Sequence, residues 1–234
     1  MKENTFRKGF TDGLPICFGY FSVAFAFGIF ALKCGLKGWQ AVAISATNLT
    51  SAGQLAAVPI IAGGGSLLEV ASTQLVINMR YFLMSIVLSQ RLKSDIRLPH
   101  KLLLAWADTD EIFAVATGQA HKLDQHYLYG LILSPYLGWT MGTLAGVLAG
   151  DILPAVLSDS LGVAIYGMLI AIFVPAAKKD RNMLICIVLA VIFSVCFRYL
   201  PYLNQVPGGF TIIICAVTAA VIMSVIAPVE VDRL

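Results

Sequence analysis

Charged residues are scarce in this chain. Only 12% of its 234 residues are Asp, Glu, Lys or Arg, whereas 59% are hydrophobic and the mean hydropathy is +0.84. Soluble domains carry about 25% charged residues. The composition therefore excludes an ordinary soluble domain and predicts an all-α polytopic membrane protein. The apolar segments leave no room for a separate soluble domain, so we expect a single membrane transport domain over residues 1–234.

Residues that bind metals or cofactors are also few. The three histidines are scattered through loops, and the chain has no phosphate-binding loop and no serine–histidine pairing. A net charge of +3 is too small to indicate a nucleic-acid partner. Five cysteines lie in or beside apolar segments without a CxxC pair, which predicts free thiols: Cys17, Cys34, Cys186, Cys196 and Cys215. We therefore predict no metal, no cofactor, no ATP hydrolysis and no nucleic acid.

Eight apolar segments are candidates to cross or enter the bilayer, whose hydrocarbon core needs about 20 helical residues. They are residues 14–36, 39–62, 67–88, 102–119, 127–150, 152–177, 183–200 and 210–227. The first follows Lys2, Arg7 and Lys8, as in a signal peptide. It is too long for a signal-peptide core, however, and no Ala-x-Ala site follows it, so we interpret it as a membrane helix.

Positive charge indicates which loops face the cytoplasm. The N-terminus, residues 91–101 and residues 178–181 are strongly positive. Three segments separate each of these regions from the next, and an odd number of full crossings cannot return to the same side. We therefore expect about six full transmembrane helices plus two broken or re-entrant segments, with both termini cytoplasmic. Seven or eight crossings are the alternative, because Lys33, Lys37 and Lys122 weaken the difference in positive charge between the two sides.

The two broken segments are expected at residues 39–62 and 102–119, which are the segments richest in polar residues. Transporters build binding sites near the middle of the membrane from such segments. In the first, Gly53 and Gln54 are candidate substrate-binding residues, because an unwound backbone and an amide suit a zwitterionic amino acid. A polar contact between helices is the alternative for both.

Arg80 lies inside the segment at residues 67–88, where an arginine costs roughly 2.5–3.5 kcal/mol on insertion scales. We expect it to be a substrate-binding residue, as an anion site for a carboxylate, or to form an ion pair, with snorkelling to the interface as the alternative. Asn78 is a candidate substrate-binding residue beside it. Asp110 and Glu111 are candidate coupling or ion-pair residues, which would neutralise Arg80 or bind an ammonium group or a proton. The alternative for these acids is a helix N-terminus at the interface.

Four glycines spaced four residues apart, Gly138, Gly142, Gly146 and Gly150, predict a helix face for close packing. The partner helix can belong to this chain or to a second subunit. A faint internal similarity also suggests a possible inverted repeat. It relates Gly13-Leu14 and Gly19-Tyr20 to Gly130-Leu131 and Gly138-Trp139, and residues 79–83 to residues 197–201.

The chain resembles the AzlC family, the large permease subunit of bacterial branched-chain amino acid exporters. The resemblance covers nearly the whole length and rests on Phe6-Arg-Lys-Gly-Phe, Gly13-Leu-Pro, Gly19-Tyr20, Phe27-Gly28, Ala52-Gly-Gln54, Asn78-Met-Arg-Tyr-Phe-Leu-Met84 and Thr109-Asp-Glu-Ile-Phe-Ala114. It implies amino-acid export across a bacterial plasma membrane and a small membrane partner of the AzlD type. Two departures are Tyr81, where the family usually has His, and Leu55, where Phe is frequent. They put a histidine-based proton step and the side-chain selectivity in doubt.

We therefore expect a transporter and not an enzyme. It would export branched-chain or other hydrophobic amino acids by secondary-active transport, driven by the proton-motive force, as the large subunit of a two-component permease. Two alternatives stay open. One is an intramembrane aspartyl-type enzyme that uses Asp108 or Asp110 with Asp159, and the other is a non-transporting membrane scaffold subunit.

Overall fold

Helices account for most of the residues that the structure describes. The computed structural model describes residues 5–150 and 180–227, together with residues 152, 170, 174, 177 and 178. Nine α-helices lie within the two long described ranges, joined by short loops. They are α1 (Phe6–Lys33), α2 (Gly38–Thr47), α3 (Ser51–Ala62), α4 (Leu67–Arg91), α5 (Leu98–Trp106), α6 (Asp110–Thr117), α7 (Gln125–Gly150), α8 (Arg181–Tyr199) and α9 (Gly208–Ile226).

Five of these helices, α1, α4, α7, α8 and α9, are long and apolar enough to cross a membrane. They coincide with five of the six segments that the sequence predicts as full crossings. The sixth, residues 152–177, lies almost entirely outside the described residues. The predicted all-α polytopic membrane fold is confirmed.

Both segments predicted to be broken consist of two short helices. The first is divided into α2 and α3, and the second into α5 and α6. The longest of the four, α3, has 12 residues. At 1.5 Å per residue it rises about 18 Å, well short of the roughly 30 Å hydrocarbon core. None of the four helices can therefore cross a bilayer alone.

The break between α2 and α3 lies at residues 48–50, where side chains replace helical backbone bonds. Asn48 has an extended backbone, and its Oδ1 accepts the N–H of Thr50 at 2.9 Å. The hydroxyl of Thr50 in turn accepts the N–H of Gly53 at 3.1 Å, which caps α3. Gly53 and Gln54 thus lie in the first turn of α3. The sequence-based expectation that the backbone unwinds at Gly53 is wrong by a few residues, because the capping side chains precede it.

The α5–α6 segment begins and ends beside the C-terminal end of α4. Arg91, the last residue of α4, donates from Nη2 to the carbonyl of Thr117 at 3.1 Å and also to that of Gln119. Lys122 donates from Nζ to the carbonyl of Gln90 at 2.5 Å. The chain therefore leaves the end of α4, turns at residues 107–109 and returns to the end of α4. This is the re-entrant path expected for the segment.

Helices α1 and α7 run parallel and pack backbone to backbone. A methyl group added at Gly138, Gly142 or Gly146 of α7 would overlap the carbonyl oxygens of Cys17, Phe21 and Phe25 of α1, respectively. Gly9, Gly13 and Gly28 of α1 meet α7 in the same way. Gly150, at the end of α7, faces the side chain of Leu32.

The parallel direction bears on the inverted repeat. Equivalent helices of inverted halves are related by an axis in the membrane plane, so they run in opposite directions. The helices α1 and α7 would be such a pair, yet their contacts advance together along both chains. The expected inversion is wrong for this pair. The direction agrees instead with the charge-based topology, in which both helices start in the cytoplasm.

Contacts divide the chain into two compact units. The first comprises Met1–Leu55 with Ile77–Ile165, and the second Ala56–Val76 with Tyr166–Leu234. In the second unit, the buried carboxylate of Glu69 accepts the N–H of Gly209 at 2.8 Å and so caps α9. All candidate substrate-binding and coupling residues lie in the first unit.

Candidate functional site

The two helix breaks meet inside the first unit. Helix α2 ends with three successive carbonyls that have no partner in the helix. The carbonyl of Ala46 accepts the hydroxyl of Tyr136 at 3.1 Å, and that of Thr47 accepts the indole N–H of Trp106 at 3.1 Å. Since Trp106 is the last residue of α5, the end of α5 lies directly against the end of α2.

The third carbonyl, that of Asn48, accepts Nε2 of Gln54 at 3.0 Å. The remaining amide hydrogen of Gln54 points to Ser45 Oγ at 3.4 Å, and its Oε1 accepts the indole N–H of Trp139 at 3.0 Å. Gln54 is fully buried. Its donors and its acceptor are all occupied, so binding a substrate would require Gln54 to exchange partners.

The same buried network continues along α7. Ser45 and Thr143 share a hydrogen bond at 2.7 Å, and Thr143 donates to the carbonyl of Trp139 at 3.1 Å. Both hydroxyls are fully buried. Fully satisfied polar networks of this kind give one arrangement a large advantage over its alternatives, because an unmade bond in the interior is costly. The network therefore holds the α2–α3 break rigidly against α7.

Tyr20 of α1 connects this network to the second break. Its ring packs edge-on against Trp139, with centroids 5.3 Å apart. Its hydroxyl donates to Glu111 Oε2 at 2.5 Å and lies 2.7 Å from Thr109 Oγ1, the N-cap residue of α6. The phenol has one proton, so Thr109 is the donor in the second bond.

Arg80 of α4 reaches the same end of α6. Its Nη1 lies 2.5 Å from Asp110 Oδ2, and both side chains are 41% exposed. The guanidinium also covers the ring of Tyr81 at 4.9 Å and donates to its hydroxyl at 3.2 Å. The structure thus brings Arg80 and Asp110 together, with Tyr81 beside them. Asn78 lies on α4 two residues earlier.

Asp108 differs from both neighbouring acids. It lies in the non-helical turn between α5 and α6 and is only 3% exposed. Neither of its carboxyl oxygens has a hydrogen-bond partner among the described residues. A buried charge without a partner is strongly unfavourable, so this environment favours the neutral form of the carboxyl.

An apolar cavity of about 300 Å³ adjoins the junction of the breaks. Trp106 and Tyr136, whose polar atoms hold the end of α2, also line this cavity. The other lining residues are Phe6, Leu103, Tyr129, Ile132 and Leu133. Polar groups and an apolar recess therefore lie side by side, as recognition of a small amphipathic molecule requires.

Sequence reasoning missed several members of this arrangement. Tyr20 appeared only in the internal similarity and in the family resemblance, and Trp139 only in the internal similarity. Ser45 and Thr143 were not identified at all. Isolated hydroxyl residues in apolar segments give no signal of partners nearly a hundred residues away. Asp159, proposed for an aspartyl pair, lies outside the described residues. Within the described part, no three His, Cys, Asp or Glu side chains are grouped to hold a metal ion.

The chain is similar in sequence to several known membrane proteins. A family model described as AzlC protein matches residues 15–153, which is more than half of the chain. An uncharacterized membrane protein of Archaeoglobus fulgidus is 36% identical over 152 residues, which cover 65% of this chain and 66% of the relative. The inner membrane protein YgaZ of Escherichia coli is 30% identical over 151 residues, 63% of this chain and 62% of the relative.

An uncharacterized membrane protein of Helicobacter pylori is 29% identical over 154 residues, which cover 62% of this chain and 66% of the relative. The matched stretch thus spans slightly less than two thirds of the length of each of these curated relatives. No solved structure matches the chain.

Proposed function

The chain belongs to the AzlC family of membrane proteins, and on this premise we propose that it is a secondary-active exporter of branched-chain or other hydrophobic amino acids. The observation that supports the proposal most directly is that the two helix breaks meet. Gln54, Trp139, Tyr20 and Thr109 connect them in one buried polar layer. Non-helical backbone of this kind is tolerated at membrane depth where it is enclosed by protein or lines a cavity. Transporters bind their substrates at such breaks.

The chemistry of the layer suits a zwitterion with an apolar side chain. The N-terminal end of α6 and the guanidinium of Arg80 favour a carboxylate, whereas the C-terminal end of α2 and the acids of α6 favour an ammonium group. The apolar cavity beside Trp106 and Tyr136 would take an isopropyl or isobutyl group. Valine and leucine match this arrangement, because each carries both charges at one end and a hydrocarbon side chain at the other.

Each predicted site residue has a role in this proposal. Arg80 positions the substrate carboxylate or pairs with Asp110 when the site is empty. Asp110 or Glu111 carries the proton or faces the ammonium group. Gly53 and Gln54 offer backbone and amide contacts once Gln54 releases its protein partners, and Asn78 lies beside Arg80 on α4.

The proposal includes a second component and a location. A small membrane subunit of the AzlD type would complete the permease, in a bacterial plasma membrane with both termini of this chain in the cytoplasm. The glycine-rich face of α7 is occupied by α1 of the same chain, so a partner would use other helix faces. The positive regions at the N-terminus and at residues 91–101 support the cytoplasmic orientation of the termini.

The ion pair of Asp110 argues against this residue as a member of an intramembrane aspartyl pair. An enzyme of this type needs two carboxyl groups that share a proton at close range. Asp110 is held by Arg80 at 2.5 Å, which satisfies its charge without a second acid.

Export can be tested in bacterial cells that lack their own hydrophobic amino-acid exporters. The cells express this chain with its small partner, receive a valine- or leucine-containing dipeptide, and are sampled for intracellular free amino acid. We expect lower accumulation than in cells with an empty vector, because the exporter removes the hydrolysis product.

The matched control is Arg80→Gln at equal expression, which removes the guanidinium while keeping a polar side chain. It should accumulate amino acid as the empty-vector cells do. Unchanged accumulation in wild-type cells, with both subunits present in the membrane, would reject the export function.

A further inference from the structure

Three acids stand together where α6 begins, and two of them have partners. Asp110 forms an ion pair with Arg80 at 2.5 Å. Glu111 is an exposed residue whose carboxylate accepts the hydroxyl of Tyr20 at 2.5 Å. Asp108 is the third, and it is the most buried of the set.

The surroundings of Asp108 make its carboxylate less favourable than its neutral carboxyl form. It is 3% exposed, and neither oxygen has a hydrogen-bond partner among the residues described. In such a place the carboxylate is unfavourable until water, a cation or a proton reaches it. The closed surroundings therefore favour the neutral carboxyl, and access of water would favour the carboxylate.

Asp108 is also connected to both helix breaks through neighbouring side chains. The next residue, Thr109, contacts Tyr20, and Tyr20 packs on Trp139, which binds Gln54 of the other break. These contacts connect the turn that carries Asp108 to the α2–α3 break, so a movement of either break would change the surroundings of Asp108. The other charged or titratable groups at this end of α6 come from three helices: Tyr20 of α1, Arg80 and Tyr81 of α4, and Asp110 and Glu111 of α6.

We propose that Asp108, in place of Asp110 or Glu111, is the carboxyl group that binds and releases the coupling proton, whereas Asp110 neutralises Arg80 and Glu111 holds Tyr20. The inference rests on the proposed export function and assigns its energy coupling to one residue. A proton from water on the outer side forms an O–H bond with one carboxyl oxygen of Asp108. When the site opens to the inner side, that bond breaks and the proton returns to water.

The test uses the two-subunit complex reconstituted in liposomes, with labelled leucine. One assay follows leucine accumulation driven by a pH gradient, and the other follows exchange of labelled for unlabelled leucine without a gradient. Asp108→Asn resembles the protonated state permanently. It should lose gradient-driven accumulation to the level of empty liposomes and keep exchange, which should no longer vary with pH.

Asp95→Asn is the control for the loss of a carboxyl outside the site. Asp95 is exposed in the loop between α4 and α5, so this variant should keep both exchange and gradient-driven accumulation. The inference is overturned if Asp108→Asn accumulates leucine as the wild type does, if it loses exchange as well, or if a sodium gradient drives the wild-type complex and a pH gradient does not.

A second variant keeps the test decisive if Asp108→Asn does not fold. Asp108→Glu retains an acid but moves it by one methylene, so the pH profile of coupled accumulation should be displaced from that of the wild type. An identical profile overturns the assignment. If the wild-type complex exchanges no hydrophobic amino acid, the proposed export function fails, and this inference fails with it. Exchange by the wild type together with intact coupling in Asp108→Asn rejects the inference alone.

Discussion

Trp139 donates its indole N–H to Oε1 of Gln54 at 3.0 Å, and the two side chains are 2% and 0% exposed. This bond joins α7 to the first turn of α3 and completes the hydrogen-bonding capacity of the Gln54 amide. The break between α2 and α3 is therefore held by a side chain that is remote in sequence, and its stability depends on that bond.

Replacing Trp139 by Phe should destabilise the protein. The six-membered ring is kept, but Gln54 Oε1 is left buried without a donor, which costs about 1–3 kcal/mol. The space left by the five-membered ring adds a cavity cost. Unfolding in detergent, followed by intrinsic fluorescence or circular dichroism, measures the change. Trp39→Phe is the matched control, because Trp39 is 68% exposed. Equal losses from both variants would contradict a special role for the Trp139–Gln54 bond.

Gly142→Ala should also lower stability, because the new methyl group meets the backbone of Phe21 and Cβ of Ala24 on α1. Overpacking of this kind costs about 1–3 kcal/mol, since backbone cannot move aside as a flexible side chain can. Gly19→Ala makes the same change on α1, where no described atom lies within 4 Å. It should be neutral or stabilising by roughly 0.5–1 kcal/mol. Thermal melting of both variants in one detergent gives the comparison, and a reversed order would refute the close packing of α1 on α7.

Arg80→Gln and Asp110→Asn should impair transport much more than stability. Both side chains are 41% exposed in the chain alone, so removing one partner does not leave the other charge enclosed by protein. Their effects on leucine export should be less than additive in the double variant, because each removes the same interaction. A double-mutant cycle compares the wild type, the two single variants and the double variant by their transport rates and melting temperatures. Additive transport losses would show that the pair does not act as a unit.

Stability in acid should depend on Asp124, at the start of α7. Burial raises the pKa of this carboxyl, but hydrogen bonds from Lys93 and from the backbone and ring of His126 outweigh burial and lower the pKa to about 2. An unfolded Asp has a pKa of about 3.9. The folded value is lower, so the stabilisation is present above the unfolded pKa and is lost as the pH falls through the folded value.

Asp124→Asn tests this directly in detergent unfolding experiments. The wild type should exceed the variant in stability at neutral pH, and the difference should shrink between about pH 4 and about pH 2 as Asp124 becomes protonated. Asp95→Asn, a change in the loop between α4 and α5, serves as the control for a general loss of negative charge. A difference that does not vary across this range would refute the role of Asp124.

Much of the fold follows from local features of the sequence. Polar residues between Asn48 and Gln54, and the acids from Asp108 to Glu111, marked the two segments that divide into short helices. The apolar runs marked five of the spanning helices. These predictions succeed because lipid offers no hydrogen bonds, so a long apolar run must become a helix and a polar interruption must be enclosed.

The candidate site was predicted only in part. Arg80 was expected to have an acidic partner, but the sequence did not distinguish Asp110 from Glu111. Gln54 was a candidate for substrate binding, and the structure surrounds it with Trp139, Ser45 and Asn48. The internal similarity pointed to Tyr20 and Trp139 but suggested an inverted relation, whereas α1 and α7 are parallel.

The amino-acid sequence by itself determined that this is a helical membrane protein, where its helices break, and which face of α7 allows close approach. These properties depend on hydrophobicity and spacing along one helix. Only the tertiary structure decided that α1 occupies that face, that Tyr20 links the two breaks, and that Asp110 takes Arg80 while Asp108 stays buried without a partner in the described chain. Such choices depend on the packing of residues far apart in sequence, which local patterns do not encode.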